Sequence, residues 1–228
     1  MISAIYIICL LFKMVLCQNE CIDPRSYGAI EGNPNNGYGE NWETNQIAIQ
    51  RAIDEAGDLS SINDRHCVII TGGDYVTSDL ILRSNIIFKV DENSRVITAA
   101  TKTTTALVLI QDIENVEIVG PGVIYGNAEY YIDYYDDVDN RYEPIAADGS
   151  RPRLLYMITS SNIFVHDISI QNASDWHVHA QGCKNVSIDH VSVYGDSRFP
   201  NNDGMYICIS MLVVIVPHPI IHTIIYMK

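Results

Sequence analysis

The sequence predicts an all-β solenoid, a right-handed parallel β-helix in which short strands stack coil upon coil. Three observations carry this expectation. A unit that opens on asparagine and continues as a short, mostly apolar strand recurs from Asn85, Asn115, Asn162 and Asn185. A second short strand follows each, over residues 94–97, 122–125, 167–170 and 191–194. The last two units are 23 residues apart, about one coil of a solenoid.

Each element has its own signal. Residues 45–55 read as a helix, with Ile49, Ala52 and Ile53 at i, i+3, i+4 spacing, Thr44 as N-cap and Gly57 as stop. Such a helix would cap the open N-terminal end of the stack, where bare strand edges invite aggregation. The repeated strands alternate with period two and are rich in β-branched residues, with turn residues between them. Units that cannot bury their own apolar face must stack on neighbours. Asparagine suits a coil corner, because it tolerates the left-handed backbone and its amide can ladder between coils. Residues 127–150 form a long loop carrying Glu129, Asp133, Asp136, Asp137, Asp139 and Glu143 among its carboxylates, interleaved with Tyr130, Tyr131, Tyr134, Tyr135 and Tyr142, whose rings suit stacking on sugars at the lip of a groove or packing back on the domain.

Composition narrows the partners. The 228 residues are 47% apolar and 18% charged, enough for one domain with a sizeable core. A net charge of -14 argues against nucleic acid and against anionic membranes. A polyanionic ligand would need a local basic cleft against that field. Residues 1–17 have the apolar run of a secretory signal peptide, too short to span a membrane, so we expect a secreted, extracellular monomer. Two sequons, at Asn172 and Asn185, fit secretion. Cys21, Cys67, Cys183 and Cys208 remain after cleavage and allow three pairings. The spacings match neither a zinc site nor an EF-hand loop, and no metal or cofactor is expected. Residues 208–228 lose the repeat pattern and read as an aberrant apolar tail following a premature end, leaving 18–207 as the N-terminal part of a β-helix domain.

Hydrolysis of a glycosidic bond needs a proton donor and a base or nucleophile, roles that two carboxylates fill when their surroundings separate their pKa values. Asp203 is the strongest candidate, with Asn201 and Asn202 to orient it and Gly204 to let a ligand approach. His177 and His179 would share one face of a strand, in a structural, catalytic or metal-binding role. Trp176 reads as core rather than as a sugar platform. Arg151 and Arg153 read either as solvated side chains or as partners for a substrate carboxylate.

Pro200-Asn201-Asn202-Asp203-Gly204-Met205 resembles the first catalytic motif, Asn-Thr-Asp-Gly, of the polygalacturonase family of glycoside hydrolases. An ordered series of blocks carries the resemblance from about Asp23 to Ile207, roughly the front half of the family's domain. It comprises Tyr27-Gly28-Ala29, Ala48-Ile49 with Ala52-Ile53, and Gly73-Asp74-Tyr75. Then come Gly120-Pro121-Gly122 with Ile124 and Gly126, and Tyr130-Tyr131 where the family usually has paired Trp. Arg151-Pro152-Arg153-Leu154 and Trp176 with His179 complete it. The resemblance implies a pectin-lyase-like β-helix, inverting hydrolysis of α-1,4 galacturonosyl links in pectin, and Asp203 as the carboxylate that helps activate water. We expect Asn201, His179, Tyr130 and Tyr131 at the pectic polysaccharide.

The family's Asp-Asp pair with the general acid, its Gly-His-Gly and its Arg-x-Lys have no counterpart after Asp203. Asp136-Asp137 precedes the first motif and is not that pair. The expectation is therefore a hydrolase lineage and a chain that does not turn over substrate. The rivals are a non-catalytic carbohydrate-binding β-helix, a calcium-dependent pectate-lyase-type enzyme, and a product of a broken gene.

Overall fold

The computed structural model describes residues 21–32, 39–100, 105–145, 151–202, 204–209, 213–216 and 225–227, with side chains as far as residue 207. The expected signal peptide, Asp203 and the side chain of Cys208 lie outside these residues.

The helix α1 (Trp42–Leu59) buries Ala48, Ile49, Ala52, Ile53 and Ala56 against the first coil. It is longer than the spacing predicts at both ends. Asn41, not Thr44, occupies the N-cap position, and the helix passes through Gly57 to end before Ser60. Gly57 is small because the helix crosses Arg83 there, and an added Cβ would overlap the Arg83 side chain. The buried Asn45 accepts from the Ile30 amide at 2.7 Å and donates to the carbonyls of Ile30 and Val76 at 3.0 and 3.1 Å. The cap is thereby tied to the N-terminal arm and to the first coil. A disulfide joins Cys21 to Cys67, and Cys183 is a buried thiol.

Strands β1 (His66–Ile70), β2 (Asp74–Thr77) and β3 (Leu80–Ile81) form the first coil, and β4 (Ile86–Val90), β5 (Arg95–Thr98) and β6 (Ala106–Gln111) the second. Strands β7 (Glu114–Val119) and β8 (Val123–Tyr125) begin the third. An antiparallel hairpin of β9 (Ile132–Asp136) and β10 (Arg141–Pro144) interrupts it before β11 (Arg153–Ile158). Next come β12 (Ser161–His166), β13 (Ser169–Gln171), the long β14 (Val178–Asp189) and β15 (Ser192–Tyr194). Then follow β16 (Met205–Ile209), β17 (Val213–Val216) and β18 (Ile225–Met227). The last two, also parallel to their partners, fall inside the stretch expected to be an aberrant tail.

These strands assemble into three faces of a right-handed parallel β-helix. One face runs β1, β4, β7, β12, the second half of β14 and β17; another runs β2, β5, β8, β13 and β15. The third runs β3, β6, β11, the first half of β14, β16 and β18. Alternation sends every second side chain inward. Val68, Phe88, Ile118, Val165 and Ile188 therefore stack in register along the first face, all buried. Leu80, Val108, Leu155, Val178 and Met205 do the same along the third.

The corner asparagines ladder as their recurrence predicts. Asn85, Asn115, Asn162 and Asn185 all have left-handed backbones, with φ of 63°, 59°, 54° and 52°. Each amide donates to the previous one, Asn115 to Asn85 at 2.9 Å, Asn162 to Asn115 at 3.1 Å and Asn185 to Asn162 at 3.0 Å. The glycines of the 120–126 block answer a different need. A Cβ at Gly120, Gly122 or Gly126 would fall on the backbone carbonyl of Asp167, Asp91 or Asn172 respectively, in an adjacent coil.

Candidate functional site

The third face carries an open cleft of about 390 Å³, lined by Arg153, Tyr156, Trp176, His179, Gln181 and Tyr206. Its floor follows from strand register. Leu155, Met157, Val178, Ala180, Met205 and Ile207 point into the core, so Tyr156, His179 and Tyr206 project from the opposite surface of the sheet. The three are direct neighbours across β11, β14 and β16. Trp176 enters just before β14, where its carbonyl accepts from the Leu154 amide at 3.1 Å.

Aromatic rings enclose His179. It stacks on Tyr156 with centroids 4.7 Å apart and meets Trp176 and Tyr206 edge-on at 4.7 and 5.1 Å. Trp176 and Tyr206 stack on each other at 5.3 Å. Burial, and after it the charge of Arg153, pushes the His179 pKa down to about 4, so the ring is neutral near pH 7. Its Nδ1 is buried without a hydrogen-bond partner. His177, expected on the same face, lies elsewhere: it is fully buried just ahead of β14, with Nε2 2.9 Å from the Tyr194 carbonyl. Burial lowers its pKa to about 4 as well. Among the described residues no three His, Cys, Asp or Glu side chains group as metal ligands.

The two arginines of the 151–154 block have different jobs. Arg151 is spent on the backbone, where Nη1 donates to the carbonyls of Ser174 and Pro200 at 2.8 and 2.9 Å. It thereby fastens the turn carrying Asn201 and Asn202. Arg153 lies in the cleft, its guanidinium carbon 4.6 Å from the centroid of Tyr156 and 5.0 Å from that of Trp176. Cations are attracted to aromatic faces at such distances. Its Nε is 3.8 Å from Oδ2 of the buried Asp175.

The cleft abuts the Asn-Asn-Asp-Gly turn. The Val178 amide, next to His179, donates to the Gly204 carbonyl at 3.0 Å. Asn201 is exposed with φ 64°, and Asn202 donates to the Asp196 carbonyl at 3.2 Å. The tyrosine pair sits away from the cleft lining. Tyr131 is 5% exposed, packs with Ala128 and Phe199, and its hydroxyl donates to the Ala99 carbonyl at 3.1 Å. Tyr130 is half-buried beside it in the short turn Ala128–Tyr131. The stretch thus folds back through Tyr131 and Tyr142, while Tyr134 and Tyr135 stay exposed. The Tyr142 amide donates to the Arg198 carbonyl at 2.8 Å, and Arg198 stacks over Tyr142 at 4.9 Å, which braces the 196–202 turn.

His179, singled out from the sequence, lies in this cleft, whereas the sequence reads Trp176 as core and does not single out Tyr156, Gln181 or Tyr206 as contacts. A signal was present. Tyr156, His179 and Tyr206 recur one coil apart, at intervals close to the 23 residues of the asparagine repeat.

A family model of glycosyl hydrolases family 28 matches residues 62–223, well over half the chain. The chain belongs to glycosyl hydrolases family 28. This family-28 chain is 26% identical over 99 residues to a polygalacturonase of Malus domestica, a stretch covering 43% of the chain but 21% of that relative. It superposes on an exopolygalacturonase of Thermotoga maritima with TM-score 0.64 and 20% identity, covering 88% of the chain and 55% of that structure. A family 28 exopolygalacturonase of Yersinia enterocolitica gives TM-score 0.63 and 17% identity, with 86% and 43% covered. The family-28 fold is therefore polygalacturonase-like, and the chain spans about half of these solved relatives.

Proposed function

We propose that this chain derives from inverting hydrolases of pectic polysaccharide and that, as these 228 residues stand, it holds such a polymer without cleaving it. The observation that carries this reading is the aromatic cleft set directly against the turn of the Asn-Asn-Asp-Gly motif. Ring faces suit the apolar faces of sugars, and convergent polar groups such as Gln181 fix orientation. Asp203 takes the role of the water-activating carboxylate. Asn201 stands at the mouth of the turn and His179 in the cleft floor. Tyr131 supports the turn from behind through Phe199 rather than stacking on sugar, and Tyr130 sits beside it in the turn Ala128–Tyr131. Turnover fails because inversion needs a second carboxyl about 6.5–9.5 Å from the first to protonate the leaving oxygen, and no Asp-Asp pair follows Asp203. The Cys21–Cys67 disulfide supports a secreted, extracellular protein. Among the described residues no helix is long and apolar enough to cross a membrane.

The test is incubation of the purified chain with polygalacturonate, followed by assays for reducing ends and for unsaturated uronide. Neither product is expected, whereas retention on a pectin column is. New reducing ends would refute the inactive reading, EDTA-sensitive unsaturated product would replace it with a lyase, and absence of retention would remove pectic polymers as ligands.

A further inference from the structure

We propose that Arg153 is the carboxylate-reading residue of the cleft, so that the site selects a uronate ring over its neutral counterpart. The inference rests on the pectic reading above and adds to it the group that recognises charge. A chain of net charge -14 repels a polyanion unless a local cation opposes the field. Among the described residues lining the cleft, Arg153 alone carries a permanent charge. The neighbouring Arg151 is unavailable, because its guanidinium is committed to two carbonyls and set over Phe199 at 5.7 Å.

Arg153 is both held and unspent. Tyr156 and Trp176 clamp its plane on their faces, which removes much of the rotamer entropy a ligand would otherwise have to freeze. Its nearest acid, Asp175, stands 3.8 Å from Nε, beyond hydrogen-bonding range. Nε is buried without a hydrogen-bond partner, and among the described residues no hydrogen bond engages the terminal nitrogens. The guanidinium fork matches a carboxylate in two parallel N–H···O bonds. Asp175 lies nearest to Nε, which leaves the terminal nitrogens as the uncommitted donors of the fork. The rings beside it supply the platform for the sugar that carries the carboxylate.

The experiment is a cycle that removes the charge from each partner in turn. Trigalacturonate and its methyl ester are titrated calorimetrically into the wild-type chain and into Arg153→Gln at about pH 6, where the uronate is ionised. In the wild type the acid should bind about tenfold more tightly than the ester, and added salt should narrow the gap. In Arg153→Gln the gap should close. The proposal is overturned if the acid and the ester bind the wild type alike, or if the gap persists in the variant; in both cases the pectic reading survives. If neither compound binds the wild type, the pectic reading falls and the proposal with it. Arg153→Lys guards against a folding defect: with circular dichroism matching wild type, it should keep part of the gap, because the charge remains while the bidentate fork is lost.

Discussion

Replacing Asn115 by glycine and, separately, by alanine divides the stabilisation of the asparagine ladder into its two parts. Asn115 donates to Asn85 at 2.9 Å and accepts from Asn162 at 3.1 Å, so either change removes both bonds. For partly exposed neutral bonds that loss is about 1–2 kcal/mol in all. The backbone adds the second part. At φ 59° alanine carries a left-handed penalty of about 1–2 kcal/mol that glycine does not, while glycine gives the unfolded chain freedom worth about 0.5 kcal/mol. Asn115→Gly should therefore cost about 1.5–2.5 kcal/mol, and Asn115→Ala about 1 kcal/mol more. Urea titrations read by circular dichroism give the comparison, provided the slope m is unchanged so that midpoints report stability. Equal midpoints for the two variants would refute the conformational half of the reasoning. Midpoints matching wild type would refute the ladder as a stabilising device.

Three further outcomes are expected. Replacing Cys21 and Cys67 together by serine releases a link between residues 46 apart, and should lower stability by up to about 4 kcal/mol in urea under oxidising conditions. Gly120→Ala drives a Cβ into the backbone of Asp167, so a loss of about 1–3 kcal/mol is expected, read as a lower melting temperature; an unchanged value would mean the coils have slack there. The histidines should act oppositely with pH. At His166 burial works to lower the pKa, but hydrogen bonds to Asp167 and Glu117 outweigh it and raise it. Its contribution is thus complete below the ordinary value of about 6.5 and is lost as pH rises through the raised folded value. His177, held down to about 4 by burial, costs stability as pH falls below about 6.5, because only the unfolded chain takes up the proton there. Melting temperatures of His166→Gln should flatten the alkaline limb, and those of His177→Gln the acidic limb; unchanged limbs would refute both assignments.

Much of the fold was legible because the solenoid writes its geometry into short local patterns. The corner asparagines and the period-two strands appear wherever a coil turns and stacks. The helix was legible as a cap, while its limits were not, since Gly57 serves close packing on Arg83 rather than termination. The cleft was largely hidden. Its side chains come from strands in successive coils, and their meeting depends on a register that coils of unequal length conceal. The tyrosine-rich stretch left two readings open for a related reason. An exposed-looking run of aromatic and acidic residues folds back as a hairpin, and what it packs on, the 196–202 turn, is more than fifty residues further along the chain.

The rungs of the asparagine ladder are separated by 30, 47 and 23 residues, yet each spans a single step between neighbours. A detour that includes a whole hairpin climbs the same ~4.8 Å as the shortest turn. The molecule therefore behaves like a threaded rod, on which pitch is set by the spine and material added to the flanks does not advance the thread. Surplus residues are expelled sideways, where they brace the turn beside the cleft. The supports around such a cleft can be lengthened or replaced by splicing new flanks onto an unchanged spine, with no renegotiation of the core.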